Sequence, residues 1–194
     1  MARPADPHRR ETILRAATEL FIEQGFSETR LADIADRAGV VVSTLYLYFA
    51  SKEEMVQAIA RENQQRLLEQ LRPVLERLRG EGDIAQFVEI VCAFAKEYRD
   101  TIKVFNLDSG LSAVRRGIRT RYGPRLQKGI EIIGKLIDEG YLRPYDPELV
   151  MEMLINYTRW LITMLLSMQA EEEEPFKRFC VQWLSNALLR PEDV

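Results

Sequence analysis

Residues 34–55 read IADRAGVVVSTLYLYFASKEEM, and this stretch decides how the whole chain is interpreted. Its apolar residues are spaced for two short helices, one from Leu31 to Ala38 and one from Ser43 to about Phe49, with Gly39 as the break. Two short helices joined by a glycine turn are the helix-turn-helix pattern, in which the second helix reads DNA in the major groove. Leu45 and Phe49, four residues apart, are expected to face inward.

The second of these helices carries side chains that packing alone does not require. We expect Thr44, Tyr46, Leu47 and Tyr48 to be offered outward. Tyrosine hydroxyls can donate to phosphate oxygens, and aromatic or apolar faces can contact thymine methyl groups. The alternative is a helical hairpin that only packs against the rest of the protein. That alternative does not explain why so short a helix exposes two tyrosines.

Capping signals predict further helices around this pattern. Asp6-Pro7 begins a first helix that Gly25 ends, and Ser51 with Glu54 forms a capping box at the start of a fourth. The fourth helix could run to about Arg79, with Pro73 kinking or ending it. Further helices are predicted from Asp83, around Val104 (a short one), from Arg125 to Glu139, from Pro147 to about Gln169, and from Pro175 to about Arg190. The predicted fold is therefore all-α, with about nine helices.

The predicted helices divide into two domains. Residues 1–52 are expected to form a helix-turn-helix DNA-binding domain, and residues 53–194 a ligand-binding and dimerisation domain, linked through the fourth helix. Residues 1–15 are polar and charged and predict no signal peptide. The apolar stretch from Leu149 to Met168 is interrupted by charged and polar residues, which predicts a buried helix rather than a membrane span.

The composition argues against most enzyme classes. His8 is the single histidine, so no histidine-based metal site or Ser/His/Asp nucleophile system is available. Cys92 and Cys180 lie in no metal-ligand spacing and fit a reducing compartment, where isolated cysteines usually pack as small hydrophobes. We expect no catalysis, no metal, no cofactor and a cytoplasmic location.

The charge of the N-terminal region is balanced rather than basic. Residues 1–52 contain seven Arg or Lys and seven Asp or Glu, and the whole chain has a net charge of -3. DNA binding must therefore depend on where the cations lie, with Arg9, Arg10, Arg30 and Lys52 near helix ends. This balance is also the feature that favours an alternative function, a protein-interaction adaptor that keeps the helix-turn-helix fold.

Residues 34–55 resemble the helix-turn-helix of the TetR family, whose usual sequence is close to IAxxAGVSxGTLYxYFxSKExL. The resemblance covers roughly residues 8–60 and includes GFSETRL before the second helix. It implies a homodimeric repressor that binds operator DNA and is released when a small molecule shifts the spacing of its two heads. It further implies that Thr44 and Tyr46 contact DNA and that Lys52 contacts a phosphate. Val41 and Ser43 depart from the family's usual serine and glycine. The predicted DNA-binding residues are Arg30, Val41, Val42, Ser43, Thr44, Tyr46, Leu47, Tyr48 and Lys52.

The C-terminal helices suggest a pocket and an interface. The helix from Pro147 is apolar on nearly all sides, so one face is expected to meet a second subunit, together with the last helix. The predicted interface residues are Leu165, Phe179, Trp183, Ala187 and Leu188. An apolar effector pocket is predicted, although ordinary core packing explains the same residues: Phe87, Cys92, Phe94, Phe105, Met153, Asn156, Tyr157, Trp160 and Met164.

Two charged segments are ambiguous in the sequence. The stretch from Arg115 to Lys128 contains six basic residues and no acid. It fits an anionic-ligand site, an additional DNA-facing patch or, as we favour, a solvated helix face. The run Glu171–Glu174 is expected to lie in the loop and first turn of the last helix, where negative charge complements the helix dipole.

Overall fold

The computed structural model describes residues 6–102 and 123–191. The only β-type pairing in these residues is an isolated antiparallel bridge between Leu142 and Leu189, which confirms the predicted all-α class. The helices are α1 (Pro7–Gln24), α2 (Leu31–Arg37), α3 (Val42–Tyr48), α4 (Lys52–Glu76), α5 (Glu81–Glu97), α6 (Gly123–Asp138), α7 (Pro147–Ser167) and α8 (Ala170–Leu188).

The described residues form two compact units. The first unit holds residues 6–65 with 98–102, and the second holds residues 66–97 with 123–191. Helix α4 contributes residues to both units. The predicted functional division into residues 1–52 and 53–194 stays a prediction.

The two Asp-Pro helix starts form as predicted. The Asp6 carboxylate accepts a hydrogen bond from the backbone N–H of His8 at 3.0 Å. The Asp146 carboxylate accepts from the N–H groups of Glu148 and Leu149 at 2.8 and 3.1 Å. Each cap satisfies backbone donors that have no partner inside the helix. Gly25 ends α1 with φ 86°, a conformation that favours glycine.

Other boundaries differ from the prediction. Helix α4 passes Pro73 and ends at Glu76, and α5 begins at Glu81 rather than Asp83. Helix α8 begins at Ala170, well before Pro175, because the Glu172 carboxylate accepts from the N–H of Gln169 at 3.0 Å and caps the helix there. Most of the acidic run therefore lies in the first turn of α8, as expected.

The first unit has one core to which each of its helices contributes. Helix α2 packs against α1 and α3. The side chains at the centre are at most 1% exposed and come from all four helices: Ile13, Phe21, Ile34, Leu45 and Met55. The core therefore holds α3 firmly from its inner side.

In the second unit α5 packs against α7 and α8, and α6 packs against α7. By length and composition, helix α7 is long and apolar enough to cross a membrane, and 33% of an 18-residue apolar stretch within it is buried. Its buried stripe, which includes Leu154, Tyr157 and Leu161, packs within this unit. The Tyr157 hydroxyl donates to the carbonyl of Cys180 at 2.9 Å, and burial raises the pKa of that hydroxyl.

An ionic network joins α5 to α8. The Lys177 ammonium lies 3.1 Å from Glu89, 3.3 Å from Glu173 and 3.1 Å from Glu174. Lys96 lies 2.7 Å from the Glu173 carboxylate. Hydrogen bonding to Lys96, and then to Lys177, lowers the pKa of Glu173. Burial alone lowers the pKa of Lys177, but its carboxylate partners raise it overall. The ammonium is thus held charged between the two helices.

Candidate nucleic-acid interface

The outer face of α3 is apolar and exposed. Val41, Val42, Tyr46 and Leu47 are 66, 38, 56 and 78% exposed, and Ser43 is exposed beside them. Leu45 and Phe49 are buried, which confirms the predicted inward pair. We define the outer face of α3 as Val41, Val42, Ser43, Thr44, Tyr46 and Leu47, of which Thr44 is half-buried.

Helix α3 begins without a side-chain cap. Val41 occupies the capping position and offers no acceptor, and Ser43 lies inside the helix. The Thr44 N–H donates to the Val41 carbonyl at 2.8 Å, which starts the first turn. A missing cap costs ~1 kcal/mol. Helix α3 therefore depends on the contacts of Leu45 and Phe49 with the core.

Arg10 fixes the far end of α3 from α1. Its guanidinium lies 2.6 Å from the Glu62 carboxylate on α4 and 5.3 Å from the centre of the Phe49 ring. A cation above an aromatic face is attracted by the ring's electron density. Arg10 thus joins α1, α4 and the residue that ends α3.

Arg37 joins α2 to α1. It donates to both oxygens of Glu23 at 2.9 and 2.8 Å, and its distance to the Glu19 carboxylate is 3.4 Å. These bonds lower the pKa of Glu23 and raise that of Arg37. The bidentate geometry fixes orientation at an exposed position, where such pairs add little stability.

Lys52 is engaged inside the unit. Its ammonium donates to the carbonyls of Thr29 and Phe26 at 2.6 and 2.7 Å, and it lies 4.5 Å from the centre of the Phe26 ring. A third carbonyl, that of Ser27, lies at 3.5 Å. An ammonium has three N–H donors, and these carbonyls occupy them. The structure therefore gives Lys52 the loop between α1 and α2 as its partner, where the resemblance implied a phosphate.

Tyr48 also differs from the prediction. Its ring is half-buried against the core, and its hydroxyl accepts a hydrogen bond from the backbone N–H of Asp6 at 3.1 Å. The side chain is turned toward the start of α1, because at its position in α3 it lies beside the inward face of Leu45. It is not part of the outer face.

The balanced charge of the N-terminal region is unevenly distributed. Arg10 and Arg37 are paired with acids. Arg9, Arg15 and Arg30 are exposed, and within residues 6–102 and 123–191 none of the three forms an ion pair. Exposed cations of this kind are what a phosphate backbone attracts.

Residues 13–59 match the family model of bacterial regulatory proteins of the tetR family. The chain belongs to the TetR family. It is 29% identical over 158 residues to the HTH-type transcriptional repressor KstR2 of Mycobacterium tuberculosis, which covers 79% of this chain and 78% of that protein. The relatives are transcriptional regulators, and DNA-binding regulation of transcription is the function class of this chain.

Solved structures of TetR-family regulators share its fold. A regulator from Mesorhizobium loti superposes with a TM-score of 0.73 at 19% identity, covering 94% of this chain and 98% of that one. FadR from Bacillus subtilis, solved in complex with stearoyl-CoA, superposes with a TM-score of 0.67 at 20% identity, covering 90% and 97%. The two-part helical architecture thus extends beyond the matched N-terminal residues.

In this TetR-family chain the predicted pocket residues lie in different environments. Phe87, Cys92 and Phe94 are buried on α5 and Tyr157 on α7, while Met153 and Met164 are half-buried. Phe105, the short helix predicted around Val104 and most of the basic segment from Arg115 to Lys128 lie outside the described residues. No cluster of three or more potential metal ligands occurs in the part of the chain that is described.

Asn156 and Trp160 are exposed, unlike the buried members of the predicted pocket set, and their assignment to a pocket stays a prediction. Asn156 donates from its amide nitrogen to the Glu152 carbonyl of its own helix at 2.9 Å. Trp160 is 40% exposed and lies 5.5 Å, between ring centres, from Phe176 on α8. Asn156 lies on the side of α7 away from its buried stripe, whereas Trp160 lies at the edge of that stripe, with its ring centre 5.6 Å from that of Tyr157.

The predicted interface residues of the TetR-family chain also separate. Phe179 and Trp183 are 56 and 45% exposed, and Ala187 is half-buried. Leu165 and Leu188 are only 8 and 3% exposed, because they pack inside their own unit. These two leucines therefore belong to the core rather than to an outer surface.

The cysteines are buried and free, and burial raises the pKa of Cys92 to about 12. A thiol that stays protonated at neutral pH reacts slowly, which favours a packing role.

Proposed function

We propose that this chain is a homodimeric, cytoplasmic transcriptional repressor that binds operator DNA through α3 and releases it when an apolar or amphipathic small molecule binds the second unit. The observation that carries the proposal is the exposed outer face of α3 on a firmly packed helical unit. Large apolar side chains left in water on a well-packed scaffold mark a surface that a partner covers.

The DNA contacts follow from the outer face and its neighbouring cations. Tyr46 and Leu47 would meet base edges, and Ser43 and Thr44 have hydroxyls that can bond to bases or phosphates. Arg30, exposed at the start of α2, would contact the backbone. The phosphate contacts fix the position of the protein on the duplex, while the α3 side chains provide sequence preference.

The dimer is proposed to form through α7 and α8. Trp183 stacks on Tyr157 with ring centres 5.3 Å apart and an 8° angle between the planes, and Trp160 continues this aromatic surface on α7. Phe179 lies one turn before Trp183 on α8 and is exposed with it. Aromatic side chains of this kind dominate protein interfaces. Two heads are needed because a single recognition helix reads only a few base pairs.

The effector is proposed to be apolar because the candidate lining is apolar. Phe87 and Phe94 are buried on α5 and Tyr157 on α7, the two helices pack against each other, and with the half-buried Met153 and Met164 these side chains offer only one hydroxyl. FadR holds a long-chain acyl thioester in its structure, which supports an apolar effector in this chain. A ligand that prefers one state of the protein shifts the population toward it.

The experiment selects bound duplexes from a randomised pool with the full chain. The expected result is a preferred sequence with two half-sites, bound with a steep salt dependence. A library of apolar compounds is then screened for a raised melting temperature and for release of that duplex. A folded dimer that selects no sequence would contradict the proposal and favour the adaptor. Selection without any releasing compound would contradict the effector part.

A further inference from the structure

The outer face of α3 lacks the side chains that most often distinguish bases. Between Ala38 and Ser51 there is no Arg, Lys, Asn, Gln, Asp or Glu. Arg and Lys pair with guanine, Asn and Gln with adenine, and acids with cytosine in the major groove. None of these pairings is available to this segment. It offers hydroxyl groups and, above all, aliphatic carbon.

The aliphatic groups are fully presented to a partner. Leu47 and Val41 are the two most exposed large apolar side chains in the described part of the chain, at 78 and 66%. They contribute nothing to the core beneath them, which Leu45 fills. The apolar feature that the major groove displays is the C5-methyl group of thymine.

We propose that this protein recognises its operator mainly through thymine C5-methyl groups, which contact Val41, Val42 and Leu47. The inference rests on the proposed DNA binding through α3. Hydroxyls both donate and accept, so Ser43 and Tyr46 fit several bases and discriminate less than a fixed donor pair does. Sequence preference then comes from methyl burial, and the salt dependence from cations outside the outer face.

The test replaces thymine by deoxyuridine in the duplex selected by the wild-type protein. This change removes only the methyl group and keeps every hydrogen bond of the base pair. Each contacted position is expected to lose about fourfold in affinity, the equivalent of one buried methyl group. The salt slope is expected to stay unchanged. Deoxyuridine outside the half-sites is the matched control and is expected to have no effect.

A second arm assigns the contact to named side chains. The three variants are Val41→Ala, Val42→Ala and Leu47→Ala. If one of these side chains contacts the methyl group of a given thymine, its alanine variant is expected to bind the duplexes with thymine and with deoxyuridine at that position equally well. The converse arm replaces a contacted thymine by cytosine and then by 5-methylcytosine. Methylation is expected to recover about fourfold in affinity, because it returns the methyl group to the same place.

The outcomes separate this inference from the proposed function. A deoxyuridine duplex that binds as tightly as the thymine duplex overturns methyl recognition but leaves a sequence-specific repressor. A deoxyuridine loss that persists in all three alanine variants overturns the assignment to α3. A folded protein that selects no duplex overturns the proposed function itself.

Discussion

Replacing Lys52 with methionine keeps the apolar stem and removes the ammonium that binds the loop between α1 and α2. The lost contacts are the hydrogen bonds to the Thr29 and Phe26 carbonyls, at 2.6 and 2.7 Å, and the contact with the Phe26 ring. A hydrogen bond to a charged group contributes ~1.5–3 kcal/mol. Because Lys52 is half-buried and water can reach the freed carbonyls, we expect the free energy of unfolding to fall by about 2 kcal/mol.

Urea unfolding measures this loss in the first unit. Circular dichroism follows both units, whereas both tryptophans, Trp160 and Trp183, lie in the second unit and report its unfolding by fluorescence. With a slope of ~1 kcal/mol per molar urea, the midpoint of the first unit is expected to move down by about 2 M. Arg15→Met, at an exposed position of α1, is the matched control and is expected to stay within ~0.5 kcal/mol of the wild type.

A phosphate contact predicts a different result for the same variant. Removing one phosphate contact leaves stability unchanged, weakens all DNA sequences alike and reduces the salt slope by about one unit. If Lys52→Met shows this behaviour with a wild-type urea midpoint, the assignment of the ammonium to the loop is refuted.

Three further results are expected. Tyr46→Ala weakens operator binding in a gel-shift assay by ~1–3 kcal/mol with an unchanged melting curve, because the ring is exposed. If the variant unfolds instead, the assignment of α3 as the recognition helix is wrong. Trp183→Glu gives a folded monomer in analytical ultracentrifugation with much lower operator affinity. If the variant stays dimeric at low concentration, Trp183 is not the residue that holds the dimer interface together. The Glu173 carboxylate, whose pKa lies below its usual 4.5, adds stability that is complete above about pH 4.5 and is lost as the pH falls through its folded-state pKa. In Glu173→Gln the free energy of unfolding is expected to fall less on acidification than in the wild type. If both proteins lose the same stability, the ion pairs of Glu173 with Lys96 and Lys177 do not contribute to the pH dependence.

Features encoded within a few residues were predictable from the sequence. The caps at Asp6 and Asp146 join neighbouring groups in the chain, so the sequence contains both partners side by side. The inward pair Leu45 and Phe49 follows from helical spacing alone. The same spacing predicted that α3 exposes Tyr46.

Contacts between distant residues were not predictable in this way. Lys52 binds carbonyls 23 and 26 residues earlier, and the Tyr48 hydroxyl accepts from an N–H 42 residues away. Nothing in the local pattern distinguishes such a lysine from one that binds phosphate. Leu165 and Leu188 show the same limit, because an apolar stripe does not reveal whether its partner is the same chain or a second copy.

Helix α3 buries only Leu45 among its seven residues. Substitutions at Val42, Ser43, Tyr46 and Leu47 therefore change few internal contacts, and exposed substitutions of this kind usually alter stability by less than ~0.5 kcal/mol. After a gene duplication, substitutions at these positions can change which operators one copy binds, without compensating changes in the core. The set of promoters that such a protein binds can therefore evolve faster than its fold.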